Sequence, residues 1–223
     1  MKTIHLLFFI VFLFHSLLLP DEVQEIFTNI YDTHFWAGPS ISGGGSSLQQ
    51  TQIIRKEIPK LLEEINAKTM LDAPCGDFFW MKEVNLDFLT YYIGGDIVPK
   101  LIEEVQAKYG NLKRRFVHQN IILDALPQVD IIFCRDCLVH LSNTDIVTAL
   151  KNFKKSKSTY LLTTCFPETK NNKDIKTGSW HAVNLELPPF NFPKPITLIN
   201  EGGFTRYKDK SLGLWKLKDI AIE

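Results

Sequence analysis

The stretch Leu71–Met81, LDAPCGDFFWM, decides how the rest of the chain is read. An apolar run from Thr69 to Leu71 enters an acidic residue, Asp72, and breaks at Pro74 and Gly76 before aromatic residues that can open a helix. A strand that stops at a glycine-bearing turn before a helix offers backbone N–H groups and a positive helix end to a ligand. YYIGGDIV, Tyr91–Val98, then supplies a second apolar strand that ends in another acid, Asp96. An acid about 20 residues beyond such a turn suits the two hydroxyls of a ribose. Together the two stretches predict a domain that holds a nucleoside-containing cofactor.

Downstream, a helix is expected from Val98 to Tyr109, with Gly110 at its C-cap. Arg114–His118 reads as a short strand and QNIILDALPQ as a connecting loop. VDIIFC, Val129–Cys134, is a near-continuous apolar strand of the kind buried on both faces. Ser142 caps a helix reaching Phe153, with Asp145 as its capping-box partner. Thr159–Thr164 is a further apolar strand. PITLINEGG and SLGLWKLKDI form two more, pairing antiparallel at the sheet edge with Leu212, Leu214 and Leu217 in the core. The alternation predicts an α/β fold, a doubly wound, mostly parallel sheet of seven strands with an antiparallel C-terminal edge hairpin. Ligands of such sheets bind beyond the carboxyl ends of the strands. That rule gathers Asp72–Asp77, Asp96, Asn120, Cys134–Asp136 and Cys165 around one crevice.

Upstream, DEVQEIFTNIYDTHFW reads as a helix from Asp21, with Val23, Ile26, Phe27 and Ile30 at helical spacing. SISGGGSSLQQT is a flexible loop in which Ser46 or Ser47 caps a helix running from Leu48 towards Asn66, and Pro59 should kink or divide that helix. The Gly/Ser loop reads equally as a cradle for an anion such as a cofactor carboxylate, or as a hinge. Residues 21–47 thus form an N-terminal arm, and residues 48–223 the main domain. Before them, Lys2 precedes an apolar run, Ile4–Leu19, of 16 residues ended by Pro20 and Asp21. This run is short for a spanning helix and suits a signal-peptide core or an anchor, although no clear cleavage site follows. Residues 1–20 are expected to be a hydrophobic leader associating with a membrane or directing secretion; without that role the domain would be cytoplasmic.

The chain has 223 residues, enough for one complete α/β core. Lys+Arg and Asp+Glu balance at 25 each, so no basic surface for a nucleic-acid partner is expected.

LDAPCGD, YYIGGDIV and VDIIFCRDCLVHLS, in this order and spacing, resemble the motifs of class I S-adenosylmethionine-dependent methyltransferases. More narrowly, DAPCGDFFWM with CRDCLVHLS and the tail DKSLGLWKLKDI is similar to a little-characterised group of small bacterial-type members. The resemblance covers roughly Phe35–Ile220 and implies a Rossmann-like sheet with S-adenosyl-L-methionine as cofactor. It implies that Asp72, with Ala73, Cys75 and Asp77 beside it, lies near the methionine end, where Gly76 lets the backbone approach. Asp96, followed by Ile97, would bind the ribose hydroxyls. Asn120 and Ile121 would face the adenine, and Cys134, Arg135 and Asp136 would line the methionine side. Pro74 and Phe78 stand where the family commonly has glycines, and Asn120 where it often has an acid.

Two further constellations are legible. Cys75, Cys134, Cys137 and Cys165 fall at or near strand ends, and with His140 they have the composition of a zinc site, although a second CxxC is missing and no metal is the favoured reading. Methyl transfer needs a base only where the acceptor loses a proton. His140 and Asp136, just past the fourth strand, are the candidates. Trp80, and Trp180, His181 and Asn184 from the proline-bearing segment Thr177–Pro195, are the candidate acceptor-binding residues; they equally suit plain sheet cover. The expected acceptor is a small molecule or a glycan-type hydroxyl, methylated at oxygen. The rival readings are a non-catalytic cofactor- or partner-binding protein and a nicotinamide-dependent oxidoreductase, the latter disfavoured because no full GxGxxG follows the first strand.

Overall fold

The computed structural model describes residues 21–202 and 207–222. The leader expected over residues 1–20 lies outside the described residues. Among the described residues, no helix is long and apolar enough to cross a membrane.

Seven strands form one sheet in the order β3-β2-β1-β4-β5-β7-β6. They are β1 (Thr69–Asp72), β2 (Tyr91–Asp96), β3 (Arg114–His118), β4 (Ile131–Cys134), β5 (Tyr160–Cys165), β6 (Thr197–Asn200) and β7 (Ser211–Lys216). The first five are parallel, and β7 pairs antiparallel with both β5 and β6. The two C-terminal strands pair antiparallel at the sheet edge as expected, and the last strand inserts between β5 and β6. Four helices accompany the sheet: α1 (Glu22–Asp32), α2 (Ile54–Glu64), α3 (Pro99–Tyr109) and α4 (Asn143–Lys155). One buried cluster joins Ile58, Leu62, Leu101 and Ile102 of α2 and α3 to Met70 and Phe133, and a second joins Ile146, Leu150 and Phe153 of α4 to Ile132 and Leu161. Alternate residues of β4 thereby feed opposite cores, which is why IIFC is apolar throughout.

Several local expectations are revised. No α-helix follows β1; the chain makes turns and a short 3-10 element at Met81–Glu83. Phe78 sits at φ 57, outside the right-handed helical region, and the Asp77 carboxylate takes the Phe79 N–H at 3.2 Å. The positive helix end expected beside Asp72 is therefore absent. Helix α1 stops at Asp32, because the Thr33 hydroxyl donates back to the Asn29 carbonyl at 2.7 Å and His34 turns to φ 50. Residues 48–53 form turns rather than the start of α2, and Ser47 caps them by accepting from the Gln50 N–H at 3.3 Å. Helix α2 runs through Pro59 as one element. Gly110 has the C-cap position but not the left-handed backbone; a Cβ there would lie 2.5 Å from the Gln106 carbonyl oxygen, so close approach excludes a side chain. Ser142 caps α4 as expected, yet Asp145 turns to the Ser142 hydroxyl and the Thr177 hydroxyl instead of closing a reciprocal box.

These cores set graded stabilities. Phe153→Ala, at a fully buried position, is expected to cost about 3–5 kcal/mol in urea unfolding. Leu112→Ala, at a side chain 99% exposed, should stay within about 0.5 kcal/mol of the parent. Similar losses at both sites would refute the assignment of the core.

Candidate functional site

Beyond the carboxyl ends of β1, β2 and β4 lies a cavity of about 930 Å³, partly open to solvent. Its floor is made by the strand ends and the turn after β1, with Asp72, Cys75, Gly76, Asp77, Asp96, Ile97, Arg135 and Asp136. Its roof is the N-terminal arm, through Phe27, Ile30, Tyr31, Trp36 and Ile41, and His140 and Trp80 complete the wall. A smaller, mainly apolar space of about 330 Å³ adjoins it, lined by Asn120 and Ile121 together with Phe27, Pro74, Asp96 and Ile97. The roof is the part that sequence reasoning missed. Its signal was present in the apolar stripe of α1 and in the aromatic pair Phe35 and Trp36, but periodicity does not say what a stripe covers.

One carboxylate fastens the roof to the floor. The Ser40 hydroxyl donates to both oxygens of Asp77 at 2.9 Å, and the Ile41 N–H donates at 3.1 Å. The Asp77 N–H in turn donates to the Ser42 hydroxyl at 3.2 Å. The Gly/Ser loop is thus an anion cradle, and the anion it holds is the chain's own Asp77. Gly76, at φ 54, has no room for a side chain, since a Cβ would lie 2.3 Å from the Ser42 hydroxyl. Phe78 likewise adopts a positive φ, 57. Its fully buried ring, 5.1 Å from Phe116 and 5.6 Å from Tyr92 at steep angles, offsets that strain by packing.

The two strand-end acids have distinct electrostatics. Asp72 is 2% exposed, and burial pushes its carboxyl up to about 8 despite a hydrogen bond donated by the Tyr92 hydroxyl. It is therefore protonated at neutral pH, the opposing charge of Arg135 being outweighed by burial. Burial also raises Asp96, to about 6, against the opposing pull of N–H donors from Val98 and Gly76, each at 3.1 Å. With the Ile97 N–H also acting on it, the Asp96 carboxylate still has acceptor capacity for a hydroxyl donor.

Past β4 stands a charge-balanced network. Arg135 donates to Glu201 at 2.6 Å and to the Gly45 carbonyl at 2.9 Å, and its guanidinium lies 5.3 Å from the centre of the Trp80 ring. Lys210 reaches Asp136 at 2.6 Å and Glu201 at 3.3 Å. Burial alone would raise the Asp136 carboxyl, but Arg135 and Lys210 outweigh it and hold the group at about 2. So firm an ion is a poor proton acceptor near neutral pH, which corrects the expectation of a base at Asp136. Burial lowers His140 below its usual value, and its Nδ1 donates to the Ser179 carbonyl at 2.8 Å. The neutral ring so held carries its lone pair on Nε2, an atom without a partner among the described residues.

Other predicted site residues lie elsewhere or are already committed. Ala73 and Cys134 are fully buried and do not line the cavity. Asn120 borders the smaller space; its carbonyl accepts from the Ile122 N–H at 2.8 Å and its amide donates to Asp21, which leaves one lone pair of that carbonyl as an acceptor. Trp180, His181 and Asn184 do not reach the cavity. Asn184 donates to the carbonyls of Pro167 and Thr169, His181 donates to that of Lys173, and Trp180 packs on Tyr207. Their segment is anchored as sheet cover by buried Val183, Leu185, Phe190 and Phe192. The four cysteines are free, and among the described residues no group of three or more His, Cys, Asp or Glu side chains is placed to hold a metal, so the zinc alternative has no geometric basis.

No family model and no curated protein matches the sequence. Solved structures do resemble the fold. A Burkholderia thailandensis 1,6-didemethyltoxoflavin-N1-methyltransferase with bound 1,6-didemethyltoxoflavin and S-adenosylhomocysteine aligns with a TM-score of 0.61 at 13% identity, over 89% of this chain and 90% of that one. Human N-acetylserotonin methyltransferase in complex with S-adenosylmethionine aligns at 0.60 and 12% identity, over 86% of this chain but 59% of the human enzyme. Magnesium protoporphyrin IX methyltransferase from Synechocystis PCC 6803 with bound S-adenosylhomocysteine aligns at 0.55 and 14% identity, over 87% of this chain and 97% of that one. The fold is that of the class I methyltransferases.

The electrostatics of Asp72 set a pH signature. Between its usual value of 3.8 and about 8, the folded protein keeps a proton that the unfolded chain has released, so Asp72 contributes less to stability as pH rises through that window. Asp72→Asn accepts the Tyr92 hydrogen bond without titrating. Its melting temperature relative to the parent should climb steadily from pH 5 to pH 8; a constant difference would show that Asp72 is not perturbed.

Proposed function

We propose that the protein is an S-adenosylmethionine-dependent methyltransferase acting at oxygen on a small-molecule or glycan-type hydroxyl, and a member of the small DAPCGD-type group its motifs resemble. One observation carries this reading: Asp72 and Asp96, at the ends of adjacent parallel strands, face one cavity on either side of the glycine turn. The donor set suits the cofactor. A buried acid raised to about 8 is stabilised in its ionised form by an incoming ammonium, so Asp72 would meet the methionine amine. Asp96, with acceptor capacity left, would take the ribose hydroxyls. Ile97 and Ile121 supply apolar walls for a flat base in the smaller space.

When bound, S-adenosylmethionine supplies an electrophilic methyl group on a sulfonium. The chain's own part is alignment, water exclusion and proton handling. The roof covers one side of the cavity, and Asp77 keeps that roof in place. Nε2 of His140 takes the acceptor proton, while the Ser179 carbonyl fixes its tautomer. Asp136 and Arg135 hold the floor rigid and remain charged.

Calorimetry of the protein with S-adenosylmethionine, S-adenosylhomocysteine and NAD tests the reading. Both sulfur nucleosides should bind and NAD should not. Asp96→Ala should weaken binding tenfold or more, since hydrogen bonds to a charged group are worth about 1.5–3 kcal/mol each. Binding at pH 7 should release up to one proton, seen as a dependence on buffer ionisation enthalpy, and affinity should rise towards pH 8 as Asp72 gives up its proton more readily. A folded sample silent to both sulfur nucleosides would favour a non-catalytic role, and NAD binding alone an oxidoreductase.

A further inference from the structure

The roof of the cavity differs chemically from its floor. Charges gather on the floor, whereas the arm presents Phe27, Ile30, Tyr31 and Trp36 and no charged side chain. Trp36 lies against the His140 imidazole, with ring centres 4.7 Å apart and planes at 34°, and Phe27 follows 6.2 Å from Trp36. The charged groups acting on His140, Asp136 and Lys210, neutralise each other at 2.6 Å, and His181 is the remaining titratable neighbour. An anionic or cationic acceptor would meet no unpaired counter-ion here, and burying an unpaired charge is strongly unfavourable.

A sugar ring fares little better. Its several hydroxyls each need a partner once buried. The Tyr31 hydroxyl is committed to Glu104 at 3.0 Å and the Ser42 hydroxyl to Asp77, which leaves Ser46 as the uncommitted hydroxyl of the lining. A flat aromatic ring needs no such partners and gains from contact with the faces of Trp36 and Phe27. Proton transfer points the same way. A phenolic hydroxyl ionises near pH 10, whereas an aliphatic hydroxyl resembles water at about 15.7. A neutral imidazole is the better matched base for the former.

We propose that the acceptor is an uncharged phenol whose ring lies against Trp36 and whose oxygen faces Nε2 of His140. This rests on the methyltransferase reading and narrows its acceptor. The phenol oxygen forms the new C–O bond as the methyl–sulfur bond breaks with its electron pair left on sulfur. The phenolic proton passes to Nε2 and then to solvent, and S-adenosylmethionine is the only co-reactant.

The test uses the full chain saturated with S-adenosylhomocysteine and titrated with 2-naphthol, sodium 2-naphthoate or methyl β-glucoside. The His140 imidazole is followed by NMR, its signals assigned by their loss in His140→Gln. The expected result is a saturable shift with 2-naphthol at least tenfold tighter than with the other two, and a labelled methyl ether of 2-naphthol when labelled S-adenosylmethionine replaces the product. Trp36→Leu should weaken 2-naphthol at least fivefold and Trp36→Phe should restore most of it, which separates ring contact from a folding defect. Equal or tighter binding of the glucoside or the naphthoate, or bound 2-naphthol that is never methylated, overturns the phenol while the cofactor reading stands. Failure of S-adenosylhomocysteine to bind overturns both.

Discussion

The hold of residues 40–42 on the Asp77 carboxylate is the constraint on which the enclosed cavity depends. Without it, the N-terminal arm would be attached to the sheet by apolar contacts of α1 and by scattered single hydrogen bonds, between Tyr31 and Glu104, Asn120 and Asp21, His118 and Gln24, and Arg135 and the Gly45 carbonyl. Asp77 concentrates that attachment at the turn after β1, where the backbone is already committed by Gly76 and Phe78. The roof and the ligand-facing turn are therefore one unit: whatever moves the Gly/Ser loop also moves the N–H groups beside Asp72. A carboxylate that accepts several hydrogen bonds in a part-buried place is a strong and directional fastening.

Around it, charge is managed in two ways. On the far side of the floor, Arg135, Glu201, Lys210 and Asp136 cancel within one network that bridges β4, the turn before β7 and the Gly/Ser loop. Such a network adds little net stability when fully satisfied, but losing one member strands the others. Near β1 and β2, by contrast, burial holds Asp72 and Asp96 above their usual pKa, and the charges of Arg135 and His118 that act on them do not offset it. That imbalance is what a binding site for a cationic ligand looks like before the ligand arrives.

Legibility in the sequence followed the range of the forces involved. The strands, the capping of α4 by Ser142 and the inward alternation of Leu212 and Leu214 are local in origin, set by period and by capping chemistry, and they were readable. The ends of α1 and the start of α2 were not, since the side-chain hydrogen bonds of Thr33 and Ser47 and the positive φ of His34 compete closely with helix continuation. Of the site, Asp72 and Asp96 were legible because each ends a strand, and Gly76 because it stands in the turn after β1, where topology decides what faces the crevice. Trp180, His181 and Asn184 misled because a polar and aromatic segment beside a sheet reads the same whether it binds an acceptor or clamps its own carbonyls.

The sequence by itself determined the parallel sheet, its antiparallel closing strand and the pair of acids at the carboxyl edge, because periodicity and strand-end punctuation are written residue by residue. Tertiary structure alone decided that residues 21–47 roof the site, that the Gly/Ser loop holds Asp77, and that Asp136 is locked by Lys210 across 74 positions of chain. These outcomes depend on which distant groups meet after the sheet has formed. No local pattern encodes the partner of a buried charge, only its need for one.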